Sequence, residues 1–324
     1  MNQTKQSRGV FVGEFAWVWI ATALLFAVSA VVAPGTLRAS ALTSMLPFAA
    51  MLAIVAVGQT IVIQQRGLDM SSAGLVSLGG FLVTMVGFAT DSMLVGVVAT
   101  VLIAAAAGGL NGILIARLNI IPIVATLATN AIFMGAVLSL SGGVPHAVPK
   151  SLEAFSHNTV LDIPYTLVLA VAFIASVAIV THTTIGGRRF IAVGASPRSA
   201  AAAGIHMLSY QVGTYAAAAV CFAVAGILYA GFIGSASHSA GNDYLLPGIA
   251  AVVVGGTPFS GGRGSVLASG VAAIFMSQLN QMVLALGAGA AQQLLVQASA
   301  IVIAVAIRNL GPVLASTKGG PRAT

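Results

Sequence analysis

Ten stretches of the chain are long apolar runs with almost no charge inside them: 15–33, 41–63, 70–87, 93–115, 121–140, 163–182, 209–231, 244–257, 265–285 and 290–307. A helix needs about 20 residues to cross the hydrocarbon layer. The runs are continuous rather than alternating, so they predict helices and not the strands of a barrel. The third and eighth are short or interrupted by glycine and are expected as half-length or re-entrant elements, which are tolerated only where protein surrounds the backbone. Lys5 and Arg8 precede the first run, as they would a signal peptide. That run is longer than the usual ~7–15 apolar residues of such a peptide, and Pro34 follows where cleavage needs small residues. It therefore reads as a retained span.

Composition narrows the class. Of 324 residues, 58% are hydrophobic and 6% charged, and the mean hydropathy is +1.04. Soluble domains carry about 25% charged residues, so this chain has too few to cover a water-facing surface. A soluble globular protein, a disordered chain and a coiled coil are excluded, and the fold class is an all-α polytopic membrane protein of about ten transmembrane helices. One cysteine, Cys221, excludes an internal disulfide framework and a cysteine-rich metal site.

The net charge of +7 does not point to nucleic acid, because the basic residues sit singly between apolar runs. Sidedness in a bilayer explains them. With ten spans and the N-terminus inside, eleven are cytoplasmic: Lys5, Arg8, Arg66, Arg117, Arg188, Arg189, Arg198, Arg263, Arg308, Lys318 and Arg322. Only Arg38 and Lys150 are outside, as the positive-inside rule requires. Tyr165, Tyr210 and Tyr244 fall near predicted span ends, where amphipathic rings prefer to sit.

This frame divides the chain into a cytoplasmic tail (1–14), a single transmembrane domain (15–309) and a second cytoplasmic tail (310–324). The 141–162 loop, with Gly142, Gly143, Pro145 and Pro149, is expected outside as a short cap. The 183–208 loop is the longest polar stretch between spans and is expected on the cytoplasmic side. Its alanines at 199–203, after Pro197, favour a short helix. Two readings stand for that loop, a docking feature and a plain connector. Asp69 and Asp243 each precede a short glycine-rich apolar run, GLDMSSAGLVSLGG and GNDYLLPGIAAVVVGG. Such segments in matching places suggest an inverted repeat around a transport path.

Enzyme chemistry finds little support. No lysine follows a glycine as in a Walker A motif, there is no HExxH or GxSxG, and the five histidines are scattered. Neither a catalytic residue nor a metal site is expected. Asp69, Asp91 and Asp243 all sit at predicted span ends, so no carboxylate is placed mid-membrane as proton-coupled carriers require. The polarity inside the spans is neutral: Gln59, Gln64, Asn111, Thr126, Asn130, Gln278, Gln281, Gln293 and Gln297. Thr126/Asn130 and Gln293/Gln297 are four apart and Gln278/Gln281 three apart, so each pair shares a helix face. Such groups suit a path for an uncharged hydroxylated solute, and equally suit hydrogen bonding between helices. Gly108 and Gly112 form a GxxxG that allows close helix approach. The run GGTPFSGGRG at 255–264 is too rich in glycine for a helix and predicts a tight turn.

These motifs carry a family likeness. GLDMSSAGLVSLGG (67–80) resembles the GIDLSVG motif of ribose-type ABC-importer permeases, and IPIVATLATN (121–130) resembles the segment that follows in that family. IAVGASPRSAAAAGI (191–205) is similar to its cytoplasmic loop, and IAAVVVGGTPFSGGRGSVLASG (249–270) to its AAVVLGGTSLAGGKG segment. The match runs in order from about residue 41 to 307. Two departures stand out. Ala73 replaces a glycine, which would cost energy if the turn needs φ > 0, and Arg66 stands where the family often has another glycine.

The resemblance implies a permease subunit of a bacterial inner-membrane importer with both termini cytoplasmic, moving a monosaccharide or similar neutral polar solute by alternating access. It implies no cofactor in this chain, because ATP is bound by a partner. The partners implied are an ABC ATPase, a periplasmic or extracellular sugar-binding protein, a second permease copy or paralogue, and membrane lipid. Asp69 and Ser71 are assigned to a hinge beside the path, with Asn111, Thr126, Asn130, Gln278, Gln293 and Gln297 as candidate path residues. The ATPase contact falls on Gly194, Pro197, Arg198, Ala201 and Gly204, and the tight turn on Gly255, Gly256, Gly261 and Gly262. The alternatives are an ion-coupled secondary sugar transporter and a membrane-embedded enzyme.

Overall fold

Each of the ten apolar stretches forms a helix. The structure is a computed structural model that describes residues 10–317, with side chains over 15–306. In chain order the elements are α1 (Val10–Val32), a 3-10 turn (Pro34–Leu37), α2 (Ala39–Gln64), α3 (Ser72–Thr90), α4 (Met93–Ala116) and α5 (Pro122–Ser141). Then come β1 (His146–Ala147), α6 (Lys150–His157), β2 (Thr159–Val160), β3 (Ile163–Pro164), α7 (Tyr165–Thr183), α8 (Ile185–Ala195) and α9 (Pro197–Ala202). The last are α10 (Met207–Ile233), β4 (Ser235–Ala236), α11 (Asn242–Val254), α12 (Val266–Ala285) and α13 (Ala290–Thr317). Eight are long and apolar enough to cross a membrane, and α11 and the described part of α13 are shorter apolar helices. The chain is a polytopic all-α membrane protein.

The expectation of two short elements is half met. The third segment is a full helix of 19 residues, α3, and not a half-length one. Its glycines pack helices rather than break them: Gly79 lies against the backbone of α10 at Ala223. The eighth is short, at 13 residues or about 20 Å long. Lys5, Arg8, Arg308, Lys318 and Arg322 of the charge pattern lie outside the residues with described side chains. Helical backbone begins at Val10 and continues to Thr317, inside both expected tails.

The centre of the bundle is α2, where every residue from Ala49 to Gln64 is buried. It packs against α10, α12, α7 and α11, and α10 in turn packs against α3 and α4. The GxxxG pair serves that last contact. Gly108 and Gly112 meet the α10 backbone at Tyr215 and Val212, where a Cβ would have no room. The 141–162 loop contains α6 and a β2–β3 hairpin, and β1 pairs antiparallel with β4, joining this cap to the chain after α10. The 183–208 loop holds two helices, α8 and α9, where one was expected. Ser196 caps α9 through its hydroxyl, which accepts from Ser199 N.

Candidate functional site

Three of the sequence motifs meet at the end of α2. The helix closes in a Schellman arrangement, with Arg66 N donating to Ile63 O at 2.9 Å and Gly67 N to Val62 O at 3.0 Å. The residue at the left-handed position of such a cap is usually glycine; here it is Arg66, with φ 63°. That conformation costs a residue with a Cβ roughly 1–2 kcal/mol. The Arg66 side chain donates to the last carbonyls of α8, Nε to Gly194 O at 2.8 Å and Nη2 to Ala195 O at 2.6 Å. Beside it, Gln65 Nε2 donates to Phe190 O at 2.6 Å.

The glycine-rich turn seals the same junction. Gly262 N donates to Gln64 O at 2.8 Å. Gly194 faces Gln64 O and Gly262 faces Ala195, each with no space for a Cβ. Gly256, Gly261 and Gly262 have left-handed φ of 89°, 78° and 72°, whereas Gly255 has φ −66° and ends α11 against the α12 backbone.

A polar knot lies just beyond, in the 65–71 link. Ser71 donates to Asp69 Oδ1 from both N and Oγ, and its hydroxyl accepts from Asn111 Nδ2 at 3.0 Å. Gln59 Nε2 donates to Asp69 O at 2.6 Å. The Asp69 carboxyl is pushed up to about 6 by burial, with the Ser71 bonds acting in the opposite sense. From α5, Thr126 Oγ1 accepts from Met70 N at 2.9 Å and Asn130 Oδ1 from Gly74 N at 2.7 Å. These acceptors satisfy backbone donors at the start of α3 that no helical partner can reach. Ala73 lies in the first turn of α3 with ordinary helical backbone, so the left-handed position is at Arg66 instead.

Farther from the junction, beside the middle turns of α2 and at the start of α11, is a chamber of about 440 Å3. Its polar wall comprises Asn242, Asp243, Ser277, Asn280, Gln293 and Gln297. Its apolar wall includes Phe48 and Leu52 of α2 and the rings of Tyr229 and Tyr244, which meet edge to face at 5.7 Å. Gln297 Nε2 donates weakly to Asn280 Oδ1 at 3.4 Å. Asp243 is exposed, and among the described lining residues it is the one charged side chain. Three helices run from chamber to junction: α2 from Phe48 to Gln64, α11 from Asn242 to the glycine turn, and α12 from Asn280 back to Ser265.

The expected site residues therefore separate. Asp69, Ser71, Asn111, Thr126 and Asn130 come together in the knot. Gln293 and Gln297 line the chamber. Gln278 does neither; it is buried and donates to Ser29 Oγ at 3.0 Å and Thr36 Oγ1 at 3.2 Å, tying α12 to the first helix and its turn. Gly194 faces inward, while Arg198, Ala201 and Gly204 are exposed, with Pro197 partly so. Sequence reasoning missed Tyr229, Tyr244, Asn242, Asp243 and Asn280 as one constellation. Tyr244, near a predicted span end in the sequence, is buried and lines the chamber. The signal available was the cluster of Asn, Asp and Tyr opening the short eighth segment.

A family model described as the permease component of the branched-chain amino acid transport system matches residues 41–316. The chain is 28% identical to the ribose import permease of Escherichia coli (strain K12), over 90% of this chain and 92% of that one. It is 30% identical to the ribose import permease of Bacillus subtilis (strain 168), over 93% and 92%. It is 32% identical to the autoinducer 2 import system permease of Yersinia pseudotuberculosis (serotype O:1b, strain IP 31758), over 70% and 71%. No solved structure gives a significant match. The helices, the motifs and these relatives agree: the chain belongs to this family of ABC-importer permeases.

Proposed function

We propose that this chain is the membrane-spanning subunit of an ATP-driven importer for a monosaccharide or similar neutral polyhydroxylated solute, acting in a bacterial inner membrane with both termini cytoplasmic. The carrying observation is the chamber. Amides and hydroxyls there supply both donors and acceptors, Asp243 supplies a strong acceptor, and two tyrosine rings supply apolar faces. This set suits sugar hydroxyls and the C–H faces of a sugar ring. It suits a branched-chain amino acid poorly, because among the described lining residues there is no basic side chain to meet an α-carboxylate. Ribose and autoinducer 2, the solutes named for relatives, are the first to test.

The mechanism proposed is alternating access without covalent chemistry in this chain. A partner ATPase, which binds the ATP, docks on the exposed face of Pro197, Arg198, Ala201 and Gly204. Its closure moves the α8–α9 segment, and α2, α11 and α12 carry that motion to the chamber. A binding protein delivers the solute from outside, and a second permease copy or paralogue completes the channel. The eleven-to-two split of basic residues supports the orientation. The relatives are import permeases and lend no support to an ion-coupled carrier or an enzyme. The test is to tag the chain in its native host, purify it gently, and reconstitute what accompanies it. A near-equal amount of an ABC ATPase and ATP-dependent sugar uptake are expected. Uptake driven by an ion gradient, with no ATPase present, would sink the proposal.

A further inference from the structure

The α8–α9 elbow is joined to the core of the bundle at one unusual residue. Arg66 occupies the left-handed position of the α2 cap with φ 63°, a conformation that a glycine would adopt without strain. Its guanidinium donates to Gly194 O and Ala195 O, the final carbonyls of α8, which have no partner within that helix. Those carbonyls are also the negative end of the α8 dipole, where a cation is favoured. Ser196 then starts α9 at once, so the fork grips the bend between the two helices. On its other side, the Arg66 stem lies over Gly261, and Gly262 closes on Ala195.

From these contacts we infer that Arg66 is a positioning residue: a bracket that fixes α2 to the α8–α9 elbow, so that movement of the elbow moves α2. The inference rests on the permease reading above and adds the residue through which force passes. Four observations support it. The fork is bidentate across two adjacent carbonyls, which fixes orientation as well as distance. It reaches between segments 128 and 129 residues apart in sequence. The helix it holds is buried from Ala49 to Gln64 and lines the chamber at Leu52, so a displacement at one end is delivered to the other. Finally, the side chain is held in a backbone conformation that disfavours it, so local folding preference does not account for arginine there.

The test uses the complete importer in liposomes, with solute uptake, ATP hydrolysis, amount of assembled complex and thermal midpoint measured together. Arg66→Gly keeps the left-handed turn, relaxes its strain and removes the fork, so it separates coupling from folding. Arg66→Met keeps the stem without the charge, and Arg66→Lys restores a cation without the fork. The expected result is a three- to ten-fold fall in solute moved per ATP for Arg66→Gly and Arg66→Met. Assembly should be unchanged and the midpoint of Arg66→Gly unchanged or raised, with Arg66→Lys recovering at least half of the coupling. An unchanged ratio in Arg66→Gly and Arg66→Met overturns the bracket, as does a fall matched by an equal loss of assembled complex. A wild-type importer with no ATP-dependent uptake overturns the permease reading and the bracket with it.

Discussion

Two acidic residues, each just before or within the first turn of a helix, occupy opposite situations. Asp69 is fully buried and bound by its neighbours: Ser71 donates to its side chain and Gln59 to its carbonyl. Asp243 is exposed at the wall of a 440 Å3 chamber among amides and tyrosines. The junction around Asp69 is built for close contact, with glycines where backbones touch and acceptors placed on orphan backbone donors. The chamber around Asp243 leaves its polar groups available. In the knot one side of each group is engaged, while Asp69 Oδ2, Gln59 Oε1 and Asn111 Oδ1 are buried without a hydrogen-bond partner among the described residues. A group facing a chamber can offer its capacity to a solute. The difference separates polar groups engaged inside the fold from polar groups exposed at the chamber.

The comparison breaks first inside the glycine junction. Gly262→Val places a branched side chain at φ 72° against Ala195, where no Cβ fits. Left-handed strain of roughly 1–2 kcal/mol and overpacking of roughly 1–3 kcal/mol combine there. A large drop in the thermal midpoint of the purified protein, or loss of monodisperse material, is expected. Retention of the wild-type midpoint would show that the junction is loose.

At the chamber, Asp243→Ala should act on the solute and leave the midpoint alone. Losing one hydrogen bond to a charged group costs about 1.5–3 kcal/mol, so the apparent KM for uptake should rise about ten- to hundred-fold. A normal KM would remove Asp243 from the binding wall.

A matched pair of asparagines sharpens the contrast. Asn130→Ala removes the acceptor for Gly74 N and should destabilise the protein by about 1 kcal/mol, read as a lower midpoint with KM unchanged. Asn280→Ala should instead raise KM by about two- to ten-fold, the worth of one neutral hydrogen bond at about 0.5–1.5 kcal/mol. If both variants shift the same quantity, the division between frame and chamber fails.

The smallest effect belongs to Gly204→Ala. Gly204 is also left-handed, at φ 75°, but nothing lies within 4 Å of its missing Cβ. The left-handed cost of roughly 1–2 kcal/mol is offset by about 0.4–1 kcal/mol of reduced freedom in the unfolded chain. Chemical denaturation should therefore show a net loss of no more than about 1.6 kcal/mol, and a loss as large as that of Gly262→Val would mean the loop is packed more tightly than its open surroundings indicate.

Much of the frame was legible beforehand. All ten apolar segments are helices, and the GxxxG of α4 does bring two backbones together. The helix after Pro197 forms, and three of the four expected turn glycines have left-handed backbone. Pairing residues four apart on one face also placed Thr126 and Asn130 correctly as neighbours, since both reach the start of α3. Legibility failed where partners come from distant segments. Gln278 bonds Ser29 and Thr36 across more than 240 positions, and Arg66 bonds Gly194 and Ala195 across 128 and 129. No local spacing encodes such meetings. The chamber was missed for the same reason, because its wall is assembled from α2, α10, α11, α12 and α13.

The sequence by itself determined the class and the helices, because in lipid each spanning segment must satisfy its own backbone and be apolar along its length, and both demands are local. It could not distinguish α2 from α7. Both are apolar runs long enough to span, yet 89% of the apolar window of α2 is buried inside the protein against 17% of that of α7. Lipid tails and protein interior are equally apolar, so hydrophobicity marks a span without saying what it faces. Only the tertiary structure decided that α2 is the central rod, that Asp69 is buried in its knot, and that Asp243 stands exposed at the chamber.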